Sequence, residues 1–262
     1  MLFTEVPFLE RFSRASRAGF RAVEFWWPAD VPTESLIEAA LESGCQVVLF
    51  NLDAGDLAGG ERGLLSNPRH QDRFEQNAIE AIELAMRLKC PRVHAPVGLE
   101  VLDLDRAEQL QLAQKNLAWV ADLARDRGIE ILVEALNIFD NGPCLVSTTH
   151  EATALIDAAN RKNIRLQYDV YHAQRMEGNV VETVRRLSGR IAHIQIADSP
   201  GRGEPGTGEI DYRTLLRTLD DVGYPGYIGL EYRPMTDTTE RSFLWLPEDR
   251  SYDNVSVSTL RL

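Results

Sequence analysis

The sequence predicts an α/β fold, a closed barrel of the (β/α)8 type, on three observations. Short apolar runs alternate with longer segments of helical period along all 262 residues. Polar residues gather at the carboxyl ends of those runs, as at the mouth of a barrel. No glycine-rich phosphate loop of the GxGxxG or GxxxxGKS kind follows any run, which counts against an open nucleotide-binding sheet.

The runs are RAVEFWW (21–27), CQVVLFNL (45–52), RVHAPVG (92–98), EILVEAL (130–136), IRLQYDV (164–170), IAHIQIAD (191–198) and YIGLEYR (227–233). Their Val, Ile and Leu content suits parallel strands covered on both faces. Between them lie amphipathic segments with readable ends. Ser66-Asn67-Pro68 opens one helix, with proline where its missing N–H costs nothing. Phe74, Ala78, Ile82, Ala85 and Leu88 follow on one face. Asp105 caps the next helix, which stops at Gly128. Thr148 and Glu151 form a capping box, and Asp211 caps a helix ended by Gly223. No linker or low-complexity tract divides the series, so one domain is expected over 1–262, with a divergent C-terminal segment at about 235–262.

Only seven strands are legible, and a closed barrel of this type has eight. Val6, Leu9, Phe12 and Ala15 have helical spacing and Gly19 is a stop, so residues 5–18 read as the first helix. The first strand is therefore expected to be missing. A gap should lie between RAVEFWW and YIGLEYR, or a substitute should fill it. The tail WLPEDRSYDNVSVSTLRL is one candidate, because VSVSTL alternates like a strand.

Composition excludes several function classes. A net charge of −12 repels phosphate backbones and anionic membrane surfaces. No stretch approaches 18 uninterrupted apolar residues, and the amino terminus lacks the basic-then-apolar order of a signal peptide. A cytoplasmic location, with neither nucleic acid nor membrane as partner, is the expectation. Cys45, Cys90 and Cys144 form no CxxC pair and read as buried free thiols.

Four runs carry a polar side chain where an apolar one belongs: Glu134, Asp169, Gln195 and Glu231. A carboxylate in a strand buried on both faces is costly unless it is paired or binds a cation. Three carboxylates and one amide oxygen delivered to a barrel mouth would form a hard oxygen site suited to Mg²⁺ or Mn²⁺. His172 follows Asp169 by three residues and could polarise a carbonyl. The loop DSPGRGEPGTGEIDY (198–212) follows the strand bearing Gln195, and Arg202 is its only basic residue. An acidic protein that takes an anionic substrate needs a local cation, and arginine fits a carboxylate bidentately.

The segments NLDAGDLAGGERG, VEALNIFD, QYDVYHAQRMEG, HIQIADSPGRGEPGTGEIDY and GLEYRP resemble the hydroxypyruvate isomerase family, within the xylose-isomerase-like TIM barrels. The resemblance runs from about Met1 to about Pro234, and its most specific strings are QRMEG and GEPGTGEI. It implies metal binding by Glu134, Asp169, Gln195 and Glu231, with Glu134 and Glu231 as paired proton donor and acceptor. Related ketose epimerases have a histidine three residues after the metal aspartate, matching His172, and an acid six residues beyond the first metal glutamate, matching Asp140. Those two and Arg202 are the implied substrate contacts. The epimerases usually have histidine where this chain has Gln195. The family has a strand before the segment matching MLFTEVPFLERF, whereas this sequence begins at that segment, through loss or a start at an internal methionine.

The activity implied is isomerisation of hydroxypyruvate to tartronate semialdehyde, with a hydroxy or oxo acid as small-molecule partner. The alternatives on the same barrel are a 2-oxo-tetronate isomerase, a ketose 3-epimerase and an inosose dehydratase. Gln195 and the GEPGTGEI loop favour an isomerase of hydroxypyruvate or a 2-oxo-tetronate over the epimerase and the dehydratase. A metal-dependent endonuclease would need many histidine ligands and a basic surface, against five histidines and −12 here. A non-catalytic sugar-binding barrel would leave the buried acids unexplained. Barrels of this kind often dimerise, so a homo-oligomer is an open expectation.

Overall fold

The computed structural model describes residues 1–247 and 260–262. In chain order the elements are α1 (Glu10–Arg17), β1 (Ala22–Phe25), α2 (Thr33–Ser43), β2 (Gln46–Asn51), α3 (Gln71–Leu88), β3 (Arg92–His94), α4 (Arg106–Arg125), β4 (Glu130–Val133) and α5 (Ile138–Asn141). There follow α6 (Thr149–Ala159), β5 (Ile164–Asp169), α7 (Val170–Met176), α8 (Val180–Leu187), β6 (Ile191–Ile196), α9 (Tyr212–Asp221) and β7 (Ile228–Leu230). Short 3₁₀ helices cover Pro68–His70 and Thr239–Trp245. All seven expected strands are present among the described residues.

The chain divides into two compact units, one of Met1–Val23, Pro32–Gln46 and Asp169–Leu262, the other of Glu24–Val31 and Val47–Tyr168. Three of the four boundaries fall inside β1, β2 and β5 and the fourth lies just before α2, so neither unit is a separate stretch of chain.

In the unit built around Val47–Tyr168, β2, β3, β4 and β5 pair in chain order, all parallel. Register pairs His94 with Leu132, and Val133 with Leu166. Side chains alternate along a strand, so Leu132 and Glu134 share a face. Helix α4 packs against α3, α6 and β4 through Ala113, Leu117, Val120 and Ala124, each fully buried. The local signals held. Asp105 accepts from the N–H groups of Ala107 and Glu108, and Asn67 accepts from that of Arg69. Thr148 and Glu151 form the reciprocal capping box.

In the other unit β6 and β7 are parallel, with Gln195 opposite Gly229 and Ile196 opposite Leu230. Every position of β6 is buried, as a strand covered on both faces requires. Asp211 caps α9 by accepting from the Thr214 N–H.

The amino-terminal segment differs from the expected helix over 5–18. Helix starts only at Glu10, because Met1–Leu9 first passes through turns closed by Val6 N–H to Phe3 O and Glu10 N–H to Pro7 O. Glu5 is held elsewhere, accepting from the Thr239 N–H at 2.9 Å and hydroxyl at 3.0 Å. Met1–Glu5 forms no strand, in line with the expected absence of a first strand from this chain. The 3₁₀ helix Thr239–Trp245 covers this segment, setting the Phe243 ring tilted against Phe3 and edge-on to Phe20, with centroids 5.9 and 5.0 Å apart. The strand-like stretch VSVST, proposed as a substitute, lies outside the described residues; Leu260, just after it, is buried.

Candidate functional site

Strand ends deliver the polar residues. In the Val47–Tyr168 unit, Glu134 follows β4 directly and is 6% exposed. Its Oε2 accepts from Gln167 Nε2 at 3.1 Å and lies 3.6 Å from His94 Nε2. Neither neighbour was singled out in the sequence. Register explains both contacts, since His94 is the last residue of β3 and Gln167 lies one residue past the Leu166–Val133 pair. A polar residue two places before Asp169, on the same strand face, was the signal that could have found Gln167.

Cys144 belongs to the same neighbourhood. Burial pushes its thiol up to about 11; Arg62 acts against that rise and Glu134 adds to it. The Cys90 thiol is pushed up to about 12, also by burial. The three cysteines are buried free thiols, as expected.

Asp140 lies six residues beyond Glu134. It is exposed on the one-turn helix α5, where its N–H donates to Asn137 Oδ1 at 2.9 Å and its Oδ2 accepts from Asn137 Nδ2 at 3.1 Å.

In the other unit four candidates come together. Asp169 ends β5 and caps α7, accepting from the N–H groups of Tyr171 at 2.7 Å and His172 at 3.2 Å. His172 Nε2 lies 3.6 Å from Asp169 Oδ2. Arg202 Nη2 donates to Glu231 Oε2 at 2.8 Å and stands 3.6 Å from Asp169 Oδ2. Its guanidinium lies over the Tyr171 ring, 5.1 Å from the centroid, within cation–π range. Gln195, on β6, is 5% exposed, and the N–H of Glu231 donates to Ile196 O one residue further on.

Electrostatics make this cluster cation-seeking. Burial pushes the Asp169 carboxyl above its ordinary value. The Arg202 charge, the N–H groups of His172 and Tyr171, and the Glu231 carboxyl alongside all act against that rise. Two buried carboxyls beside one another keep their charge only with positive charge between them, and Arg202 supplies one such charge. A hard divalent ion would supply more. Glu134 and Asp169 each offer a buried carboxylate oxygen and His172 a buried imidazole nitrogen, all of them atoms that can ligate a metal. The residues therefore fit a metal ion.

The comparisons decide the lineage. A family profile described as "Xylose isomerase-like TIM barrel" matches residues 12–249. Hydroxypyruvate isomerase of Escherichia coli K12 is 38% identical over 246 residues, 94% of this chain and 95% of that protein. The chain belongs to the hydroxypyruvate isomerase family of xylose isomerase-like TIM barrels. A second family member, 2-oxo-tetronate isomerase of Haemophilus influenzae, is also 38% identical, across 91% of this chain and 92% of its own. A solved structure described as AP endonuclease, family 2 from Brucella melitensis superposes with a TM-score of 0.89 at 37% identity, covering 93% of this chain and 94% of that one. The TIM-barrel fold of this chain is that of the family. No helix among the described residues is long and apolar enough to cross a membrane.

Proposed function

We propose that this protein is a divalent-metal-dependent isomerase of a small sugar acid, interconverting hydroxypyruvate and tartronate semialdehyde (2-hydroxy-3-oxopropanoate). The observation that carries the reading is the Arg202 guanidinium resting on Glu231 and beside Asp169. It puts a carboxylate-recognising group next to an acid able to move a proton.

In this reading Glu134, Asp169, Gln195 and Glu231 hold Mg²⁺ or Mn²⁺. When bound, the ion supplies Lewis-acid stabilisation of negative charge on oxygen. Arg202 anchors the substrate carboxylate, and Tyr171 beneath it limits the orientations the guanidinium can take. Glu231 and Glu134 exchange protons with the two carbons, one removing a proton from the hydroxyl-bearing carbon and the other returning one to its neighbour. His172, fixed by its backbone bond to Asp169, donates toward the carbonyl oxygen. Asp140 is assigned a substrate hydroxyl only through the family resemblance.

A 2-oxo-tetronate is the second substrate reading, favoured by the equal identity to the Haemophilus influenzae relative. A nucleic-acid substrate is disfavoured by the net charge of −12. A small acid is a partner that a single buried guanidinium can neutralise.

The test is turnover of hydroxypyruvate with Mg²⁺ in deuterated water, followed by NMR. Deuterium entering product at carbon is expected, and Glu134→Gln or Glu231→Gln should each lose at least about 10²-fold in rate. Complete retention of the substrate hydrogen would replace proton transfer by a hydride shift. No turnover of any small sugar acid would sink the reading.

A further inference from the structure

We propose that Asp198 is a positioning residue, whose carboxylate gathers the 198–210 loop and thereby sets the Arg202 guanidinium against Glu231. Asp198 is 1% exposed, at the end of the run that carries Gln195. Its Oδ1 accepts from the N–H groups of Ser199 at 2.9 Å and Ile210 at 3.1 Å. Its Oδ2 accepts from those of Gly206 and Gly208, both at 2.9 Å. Four donors fill the acceptor capacity of a carboxylate. They come from both ends of the loop, so one side chain closes the whole turn. An ordinary turn cap gathers one or two N–H groups near its own position.

The loop has little freedom left around this hub. A Cβ on Gly208 would stand 2.1 Å from Ser199 O and 2.6 Å from Asp198 Oδ1, so only glycine permits the approach. Asp198 and Gly203 form an antiparallel bridge, with Asp198 N–H on Gly203 O at 2.9 Å. Arg202 sits inside that bridge at φ +57°, a left-handed conformation unfavourable for arginine. Its carbonyl accepts from the Arg233 N–H at 2.7 Å, and the Glu204 carboxylate accepts from the Met235 N–H at 3.1 and 3.2 Å. The hub and these two ties hold the backbone of Arg202 in that conformation. From there its side chain lies over Tyr171 and reaches Glu231. Asp198 thus acts on substrate only through Arg202, by fixing its position before binding.

The inference rests on the isomerase reading for its kinetic test and carries one readout that does not. Asp198→Asn leaves one acceptor oxygen and turns an NH₂ donor toward backbone N–H groups, so about half of the four bonds are lost. With Mg²⁺ and hydroxypyruvate, Asp198→Asn is expected to lower kcat/KM at least tenfold. Combined with Arg202→Ala it should add less than about twofold to the loss from Arg202→Ala alone, because residues acting through one another are not additive. Gly208→Ala drives a Cβ against Ser199 O and so disturbs the same hub from a second position; with an unchanged circular dichroism spectrum as the check on folding, it should show the same non-additivity. Losses that multiply in both double variants would overturn the proposal, since they mean that the loop matters independently of Arg202. Hydrogen exchange needs no substrate. Wild type should protect the amides of Gly206, Gly208 and Ile210 and the Arg202 Nη–H donated to Glu231, and both single variants should lose all four protections together. Loss at the amides with Arg202 still protected would overturn it even if no turnover is found, and absent wild-type turnover would count only against the isomerase reading.

Discussion

Replacing Arg202 by alanine removes the guanidinium that serves both Glu231 and Asp169, and the structure fixes the sign and scale of the effect. The Arg202–Glu231 contact is 2.8 Å and the Arg202–Asp169 contact 3.6 Å. The side chains are 9% exposed for Arg202, 11% for Glu231 and 1% for Asp169, so solvent screens these interactions little. At an effective dielectric of about 20 the two attractions are about 6 and about 5 kcal/mol before desolvation is counted. Breaking a buried pair by removing one partner costs about 3–5 kcal/mol net, and proton uptake by one of the stranded carboxyls limits it to that range. At about 2–4 °C per kcal/mol for a domain of this size, Tm of metal-free protein should fall by roughly 6–20 °C. A divalent ion would restore positive charge between the same carboxyls. Mg²⁺ or Mn²⁺ should therefore raise Tm more in Arg202→Ala than in wild type. Differential scanning calorimetry of both proteins, with and without the ion, measures each quantity. An unchanged metal-free Tm would refute the ion-pair argument. An equal or smaller metal-induced shift in the variant would show that the ion does not share these carboxyls.

Two further outcomes are expected. Dialysis against a chelator should abolish turnover, and Mg²⁺ or Mn²⁺ should restore it; activity persisting at nanomolar free metal would remove the metal from the reaction. Glu151 supplies a pH-dependent contribution to stability. Burial raises its carboxyl, but the N–H and hydroxyl of Ser147, the Thr148 N–H and the Arg106 charge outweigh that, so it lies below the usual carboxylate range. A lowered folded value means stability that is complete above the unfolded value, about 4.3, and lost as pH falls through the folded one. Glu151→Gln should cost about 1 kcal/mol at pH 7 and flatten the acid limb of the stability curve below about pH 4.3, read by urea unfolding from pH 3 to 7. An unflattened acid limb would show that the capping box contributes no charge-dependent stability.

The sequence by itself determined the seven strands, the caps at Asn67, Asp105, Thr148 and Asp211, and the identity of the buried acids. Each rests on local chemistry. Thr148 and Glu151 satisfy one another's backbone within four residues, Asp105 caps within three, and Val-Ile-Leu runs mark strands covered on both faces. Glu134, Asp169, Gln195 and Glu231 stood out because a polar side chain in such a run needs a partner, whichever partner the fold provides. Only the tertiary structure decided those partners. Strand register set Gln167 and His94 beside Glu134, and no spacing along the chain encodes register. The start of α1 moved from residue 5 to Glu10 because Glu5 is claimed by Thr239, more than 230 residues away. Asp198 read as the first residue of a loop, yet it binds amides up to twelve residues on. A loop that folds back on one carboxylate has no period to reveal it, so its order is visible only once the hydrogen bonds are closed.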